Sequence, residues 1–477
     1  MKTGDGDVRN AVRPEGYMQQ ERASKKIVLI GAGSKEFSGG LINDLALEAK
    51  LARSVALELW MVDIDPDALA VMAGYAKKAF SLMGADIAVH ATIDRTEALP
   101  GADFVLLAVE QRRMELWEQD FRLPLAFGME HIYGENGGPG ALFHTLRNYE
   151  IVFPIVADIE KFCPSALLIN FTNPEARILK GILTLTRVKA VGLCHGFYSF
   201  HSLVGKMLGR DTAELDIRTA GMNHFYTYYR ISDRKTGENL AAKFEEALER
   251  NPDALEPFVR HFWKTFGTIG YNSDHHVGEY VPYSKEFTGL RWLFGLEGQK
   301  VQPGLPYADA NVRFQAWRYK KSIAEYLRTK PDRHLEAVLA DRETLVPSDI
   351  TGSGELAVPL MTAMSLGETR FLNSVNILNT GGYIPNLDRN ACIEIPACVQ
   401  NGEIIPDSAP PLPEGFAAQV RLQHSIQALI VEAYRTRSRK LLLQALLLDP
   451  VVTSASKAQD FLDAGFELQS SYLKGWL

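Results

Sequence analysis

Cys194 and His224 are the side chains whose types and placing point most directly to chemistry. A thiol and an imidazole suit a divalent transition metal, and two protein ligands leave coordination positions open for substrate oxygens. Each follows an apolar run. Val188–Leu193 reads as a buried strand that delivers Cys194 and His195 at its C-terminal end, and Leu215–Met222 reads as a second strand ending at Asn223 and His224. The spacing therefore predicts that two neighbouring strand tips bring them together, and strand tips are where open α/β sheets bind ligands. Alone, the pair fits a plainer account better, with Cys194 a small buried hydrophobe and His224 a satisfied loop histidine. The rest of the chain shifts that balance.

Lys25–Phe37 reads as a strand, a glycine turn and a helix start, with Gly31-Ala32-Gly33-Ser34 at the turn. Glycines there let a pyrophosphate approach backbone N–H groups at a helix N-terminus. The third glycine of the full dinucleotide fingerprint is missing, since Glu36 stands in its place. A second strand ends in Asp63, whose carboxylate could accept from ribose hydroxyls and would disfavour a 2′-phosphate, so NAD is preferred over NADP. Asp65-Pro66 reads instead as the start of the following helix.

Further along, Gln111-Arg112-Arg113 puts positive charge at another strand tip, though a solvated arginine would look the same. The loop Glu135 to Gly140 must turn sharply or hug a ligand, and Glu135 could be an acid, a hydroxyl binder or a cap. Asn173-Pro174 ends the strand Ala166–Thr172, where Asn173 could bind a sugar hydroxyl or form an Asx turn. Gly270–Phe287 is dense in Asp274, His275, His276, Glu279, Tyr280 and Tyr283, a composition that suits a pocket lining better than a core.

The elements that must hold these groups alternate. Strands at Ala102–Val109 and Asp86–Thr92 and a helix at Pro66–Met83 continue the pattern, which predicts an α/β fold with a doubly wound parallel sheet. The expected organisation is a loose tail over 1–24, a Rossmann-like nucleotide domain over 25–220, and an α+β catalytic and oligomerisation domain over 221–477. Within the last, Thr227–Leu240 predicts a hairpin turning at Lys235-Thr236-Gly237. Ala310–Thr329, Asp332–Leu345 and Phe416–Leu447 predict helices, the last as one or two. Its Leu442–Leu448 run would be a buried or subunit-facing stripe.

The 477 residues are enough for two medium domains, and 46% hydrophobic with 23% charged residues is ordinary for a soluble protein. A net charge of −7 without a basic cluster argues against general attraction to nucleic acid or anionic membrane. Four scattered cysteines form no disulfide framework, and no apolar run reaches a membrane span. The polar N-terminus lacks a signal-peptide core. A cytoplasmic protein is expected.

Gly31-Ala32-Gly33-Ser34, Asp63-Ile64-Asp65, Gly134 through Gly140, Asn173-Pro174, Cys194-His195-Gly196, Gly221 through His224 and Asn379 through Leu387 occur together in order. In this the sequence resembles glycoside hydrolase family four, the NAD- and metal-dependent glycosidases, over nearly the whole chain after Ser24. The family stands outside the usual two-carboxylate scheme. The resemblance implies a lactate/malate dehydrogenase-like nucleotide fold and an assembly of two or four copies. It also implies that NAD oxidises the sugar 3-hydroxyl, which acidifies the hydrogen on C2; a base removes it, the C1 substituent leaves by elimination, water adds, and the ketone is reduced again. A divalent metal, typically Mn²⁺, polarises the C2 and C3 oxygens.

On this resemblance Cys194 and His224 map onto the metal ligands and Asn173 onto the sugar-hydroxyl binder. The base falls in the region of Asp274, with Tyr280 and His275 behind it, and the acid is His195 or Glu135. Cys-His-Gly-Phe resembles members acting on α-linked uronic acids, and Arg112, Arg113 and Arg291 are candidates for the substrate carboxylate. The expected substrate is thus an α-galacturonide or α-glucuronide. A neutral α-glucosidase or α-galactosidase, a metal-free 2-hydroxy acid dehydrogenase, and a non-enzymatic NAD sensor are the rivals.

Overall fold

The computed structural model describes residues 22–288, 290–291, 300–301 and 344–476. The helices expected at Ala310–Thr329 and over nearly all of Asp332–Leu345 lie outside the described residues, as do residues 1–21 of the N-terminal tail. Among the described residues eleven strands make one sheet, and a two-stranded pair, β9 (Leu290–Arg291) with β10 (Lys300–Val301), stands apart.

The nucleotide half of the sheet consists of β1 (Ser24–Ile30), β2 (Ala56–Val62), β3 (Ile87–Thr92), β4 (Phe104–Leu107), β5 (Leu167–Asn170) and β6 (Lys189–Gly192), all parallel, in the order β3-β2-β1-β4-β5-β6. That is the doubly wound order the alternating pattern implies, and the strand order reverses between β1 and β4, where a ligand crevice opens. Sequence dictates it through two-sided burial. Ile27 and Leu29 of β1 belong to one apolar cluster and Val28 and Ile30 to the other, as alternation along a strand requires. The helix Pro66–Met83 starts on the Asp65 side chain, which accepts from Asp67 N and Ala68 N, and stops at Gly84 in the left-handed region.

The sheet then turns antiparallel through β11 (Arg370–Leu378), β12 (Cys392–Gln400), β7 (Leu215–Met222) and β8 (Phe225–Asp233), and β13 (Glu403–Pro406) pairs with β12. Two expectations are corrected here, one of them in part. β6 and β7 are not neighbours, because β11 and β12 lie between them. The Cys194 and His224 tips still converge, since the β6–β11 and β12–β7 ladders each hold at a single residue pair, Gly192 with Asn376 and Gly221 with Glu394. The turn expected at Lys235-Thr236-Gly237 forms, with Asp233 N donating to the Glu238 carbonyl at 2.9 Å and Leu240 N to the Ile231 carbonyl at 2.8 Å. Only Ser232 and Asn239 bridge across it, however, and the long hairpin is β7–β8, turning at Asn223-His224. β7 itself spans residue 220, so the sheet runs unbroken through the expected boundary. The C-terminal helical run divides into Glu414–Thr436 and Arg439–Leu448, with Arg437 left-handed between them. No helix of the described residues is long and apolar enough to cross a membrane.

Candidate active site

One cavity of about 1010 Å³ opens at the switch point and collects Gly31, Ser34, Asp63, Glu135, Asn173, Cys194, His195 and His224 along its walls. Arg112 and Asp274 are not on those walls.

At one end lies the glycine turn. Gly31 is left-handed, and a Cβ there would stand 2.0 Å from the Ala108 carbonyl oxygen, so only glycine closes this turn against β4. Ser34 caps the helix Lys35–Leu47, accepting from Phe37 N, and the N-terminus of that helix faces the cavity. Asp63 accepts from Gly33 N at 2.7 Å and from Asp65 N at 3.0 Å, so one carboxylate shapes both turns while it lines the wall. Ile64 and Ile93, both strongly exposed, offer apolar surface beside it. These features match a dinucleotide: a glycine turn opening onto a helix N-terminus for pyrophosphate, an acid for ribose, and an apolar slot for the base.

At the other end, Cys194 Sγ lies 3.4 Å from His224 Nε2. Burial pushes the Cys194 thiol well up and holds His224 well below the usual imidazole range, and a proton on nearby His195 or His276 would push His224 further down. His224 is therefore the neutral imidazole that a metal needs, while a bound cation would draw the thiol back down. At ligand distances of about 2.3 Å for sulfur and about 2.1 Å for nitrogen, the 3.4 Å separation subtends roughly 100° at a shared ion. The pair thus fits a divalent metal with substrate oxygens completing its shell. Among the described residues no group of three or more His, Cys, Asp or Glu is arranged to hold a metal.

Glu135 and Asn173 sit together at this end. Glu135 Oε1 accepts from Arg113 at 2.6 Å and from Asn173 Nδ2 at 3.1 Å. The loop that follows is as tight as its glycines predict, but what it hugs is part of this chain. Glu279 Oε2 accepts from the N–H groups of Glu135, Asn136 and Gly137 at 2.8, 2.6 and 2.8 Å. Gly137 is required there, since a Cβ would stand 2.7 Å from the Glu279 carbonyl oxygen. Glu110, at the tip of β4, lines the cavity and contacts His144 Nε2 at 2.7 Å. Burial would raise its carboxyl, yet the His144 imidazolium more than offsets this and holds it at about 2.

The structure separates the two candidates for the acid. Glu135 is buried and its carboxylate is occupied by Arg113, Asn173 and Asn136. The His195 side chain, in contrast, is 66% exposed at the cavity wall, and its Nδ1 lies 2.5 Å from Glu355 Oε1. Glu355 holds the imidazole above its ordinary value through that bond, against the opposing effect of burial.

Asp274 is corrected. It is buried, and its carboxylate accepts from Phe258 N at 2.9 Å and Val259 N at 2.8 Å, capping the helix Pro257–Phe266 from outside. Its own N–H donates to Glu256 at 2.6 Å. Tyr280 is buried with its hydroxyl on the Asn223 carbonyl, and neither it nor His275 reaches the cavity wall. Tyr271 and His276 do. Their rings lie 5.3 and 4.6 Å from the His224 ring. His276 is held neutral, at about 4, by burial. The polar density of Gly270–Phe287 points to this stretch, but which of its residues face the cavity depends on a turn that composition does not reveal.

Arg112, left-handed and exposed, reaches the Tyr472 hydroxyl at 3.0 Å and pairs with Glu115. Arg113, the next residue, takes the wall position. The Arg291 side chain lies outside the described residues.

The model for family 4 glycosyl hydrolases matches residues 26–210, and the model for the C-terminal domain of that family matches residues 219–452. The chain is 29% identical to an α-glucosidase of Erwinia rhapontici, over 94% of this chain and 98% of that one. It is also 29% identical to an α-galacturonidase of Thermoanaerobacter italicus, with the same two coverages. A solved structure of a 6-phospho-β-glucosidase from Thermotoga maritima, with manganese, NAD⁺ and glucose-6-phosphate, superposes with a TM-score of 0.73 at 22% identity, covering 94% of this chain and 99% of that one. At that identity the likeness carries the fold. With both family models matched across most of its length, the chain belongs to family 4 of the glycosyl hydrolases.

Proposed function

We propose that this glycoside hydrolase cleaves α-linked uronic acid glycosides, an α-galacturonide or α-glucuronide, with NAD and a divalent metal bound in the one cavity. The observation that carries the sugar class is Arg113. Its guanidinium lies on the cavity wall, bonded to Glu135 and so beside Asn173, where a substrate carboxylate would find a cation. The curated relatives include α-galacturonidases alongside neutral α-glycosidases at similar identity, so the cation and not the likeness supports the choice.

The bound cofactor and metal would supply reversible oxidation at C3 and polarisation of the C2 and C3 oxygens. The chain does the rest. Gly31, Gly33 and Ser34 cradle the pyrophosphate, and Asp63 accepts from the ribose hydroxyls. Cys194 and His224 hold the metal, and Asn173 fixes a sugar hydroxyl. Tyr271, beside His224 and close against Gly196, takes the C2 proton in place of the helix-capping Asp274, as a phenolate that a bound cation would have to favour against the burial that raises its hydroxyl. His195 donates to the departing oxygen.

Purified protein is assayed on 4-nitrophenyl α-galacturonide, α-glucuronide, α-glucoside and α-galactoside with NAD⁺, Mn²⁺ and a thiol reductant. Each addition is then omitted in turn. The expected result is uronide hydrolysis that vanishes without cofactor or metal and accumulates no NADH. Arg113→Met is expected to raise KM for uronides selectively, by about tenfold or more, as the loss of a charged hydrogen bond implies. Turnover of neutral glycosides with uronides untouched overturns the substrate class.

A further inference from the structure

Glu355 belongs to none of the motifs in the sequence, yet it reaches the cavity wall. It arrives on the short segment Thr351–Leu356, which is fastened to the helix behind the glycine turn. Asn43 Nδ2 donates to the Thr351 carbonyl at 3.3 Å, Ser353 N donates to Asp44 Oδ1 at 2.7 Å, and the Ser353 hydroxyl bonds Asp44 Oδ2. The Glu355 N–H in turn donates to Ser353 Oγ at 3.0 Å. This chain of bonds fixes where the Glu355 carboxylate sits. Its side chain is only 14% exposed, its Oε1 is 2.5 Å from His195 Nδ1, and its Oε2 has no hydrogen-bond partner among the described residues. Ser353 and Glu355 line the same cavity as Cys194 and Gly196.

We propose that Glu355 is a positioning residue, which accepts the Nδ1–H of His195 and thereby aims Nε2 at the glycosidic oxygen. A carboxylate on one ring nitrogen fixes both the tautomer and the ring orientation, leaving the other nitrogen to do the proton transfer. A side chain 66% exposed, such as His195, would otherwise sample several rotamers. In the step, the electron pair left at C2 by deprotonation becomes the C1–C2 double bond. The C1–O pair leaves with the oxygen, and that oxygen takes the Nε2 proton. His195 thus enters the step as the imidazolium, with a proton on each nitrogen; the N–H pair stays on Nε2, and the Nδ1 proton stays on the ring, still hydrogen-bonded to Glu355. This rests on the glycosidase mechanism proposed above, though not on the sugar being a uronide.

The test compares two glycosides of whichever sugar the native enzyme cleaves. A 4-nitrophenyl glycoside has an aglycone that departs with little help, whereas a disaccharide or methyl glycoside needs its oxygen protonated. Glu355→Gln is expected to lower kcat on the alkyl glycoside by about a hundredfold or more, the range of one general acid. The loss on the 4-nitrophenyl glycoside should be smaller by at least about tenfold, while KM and NAD⁺ affinity, read by fluorescence titration, stay near native. Glu355→Asp should recover part of the alkyl activity, and His195→Ala should show the same split. Equal losses on both aglycones, or no loss on either, overturn the positioning role while leaving the hydrolase reading intact. If the native enzyme with NAD⁺ and Mn²⁺ cleaves neither type for any sugar, the mechanism fails and this proposal fails with it.

Discussion

At the nucleotide end of the cavity the groups that touch are near neighbours in the chain, whereas at the sugar end pairs as local as Arg113–Glu135, 22 apart, and Cys194–His224, 30 apart, are braced by carboxylates from the opposite half of it. Gly33 and Asp63 are 30 residues apart, joined by one strand–helix–strand unit. Glu135 and Glu279 are 144 apart, His195 and Glu355 are 160 apart, and Asn223 and Glu394 are 171 apart. The materials differ as well. The first end is backbone N–H and a glycine turn that a local fold supplies. The second is a set of side chains held by buried carboxylates, each of which loses hydration and must regain it as hydrogen bonds. One end should therefore yield to single changes in affinity, and the other in turnover or folding.

The largest separation of the two ends should come from the metal pair. Cys194→Ala or His224→Ala is expected to lower kcat/KM by about a thousandfold or more, several kcal/mol of transition-state stabilisation. NAD⁺ affinity should stay within about threefold of native, because neither residue touches the cradle. A chelator should reproduce the loss in the native enzyme and Mn²⁺ should reverse it. A parallel collapse of NAD⁺ binding would show that the ends are not separable.

The next effect falls on folding. Glu279→Ala leaves the N–H groups of Glu135, Asn136 and Gly137 without their acceptor in a buried loop. At about 1–3 kcal/mol for each unsatisfied group, the loss should reach roughly 3 kcal/mol or more in urea unfolding. Glu279→Gln, which keeps an acceptor oxygen, should lose clearly less. Equal stability of all three proteins would mean that the loop finds water and that the carboxylate is not what shapes it.

At the nucleotide end the change should be smaller and confined to the cofactor. Asp63→Asn keeps an oxygen for Gly33 N, gives up the weaker bond from Asp65 N, and removes the charge facing the ribose. NAD⁺ should bind about tenfold to a hundredfold more weakly, roughly 1.4–2.7 kcal/mol, with NADP⁺ affinity unchanged or improved. Sugar KM at saturating cofactor should stay near native. A fall in NADP⁺ affinity matching that for NAD⁺ would assign Asp63 to turn geometry alone.

The same contrast governs what the sequence discloses. The parallel half is legible because its signals are local: apolar runs that must be buried on both faces, glycines where a Cβ would strike β4, Asp63 at a strand tip. Cys194, His224 and Asn173 are also strand-tip residues, and the structure does bring them to one cavity. Their tips meet, however, across two strands that no local pattern inserts. Glu355 carries no signal at all, since its place is fixed by Asp44 and Ser353 across more than half the chain. Arg112 and Arg113 are indistinguishable in type, and only the left-handed backbone at Arg112 decides which reaches the wall.

Asp274 and Tyr271 give the finest version of the comparison, for they lie three residues apart and do different work. Asp274 looks catalytic by composition, but its two oxygens end a helix whose donors are 15 and 16 residues back, a cap with no local signature. Asp274→Ala should therefore cost roughly 2 kcal/mol or more, since it leaves two buried N–H groups without their acceptor. Activity per folded molecule should hold within about threefold, and Asp274→Asn should recover most of the stability. Tyr271→Phe should do the reverse, leaving the melting curve in place while slowing release of deuterium from C2-labelled substrate. Should Asp274→Asn instead abolish that exchange in a fully stable protein, the carboxylate must leave its cap during turnover, and the base would be Asp274 after all.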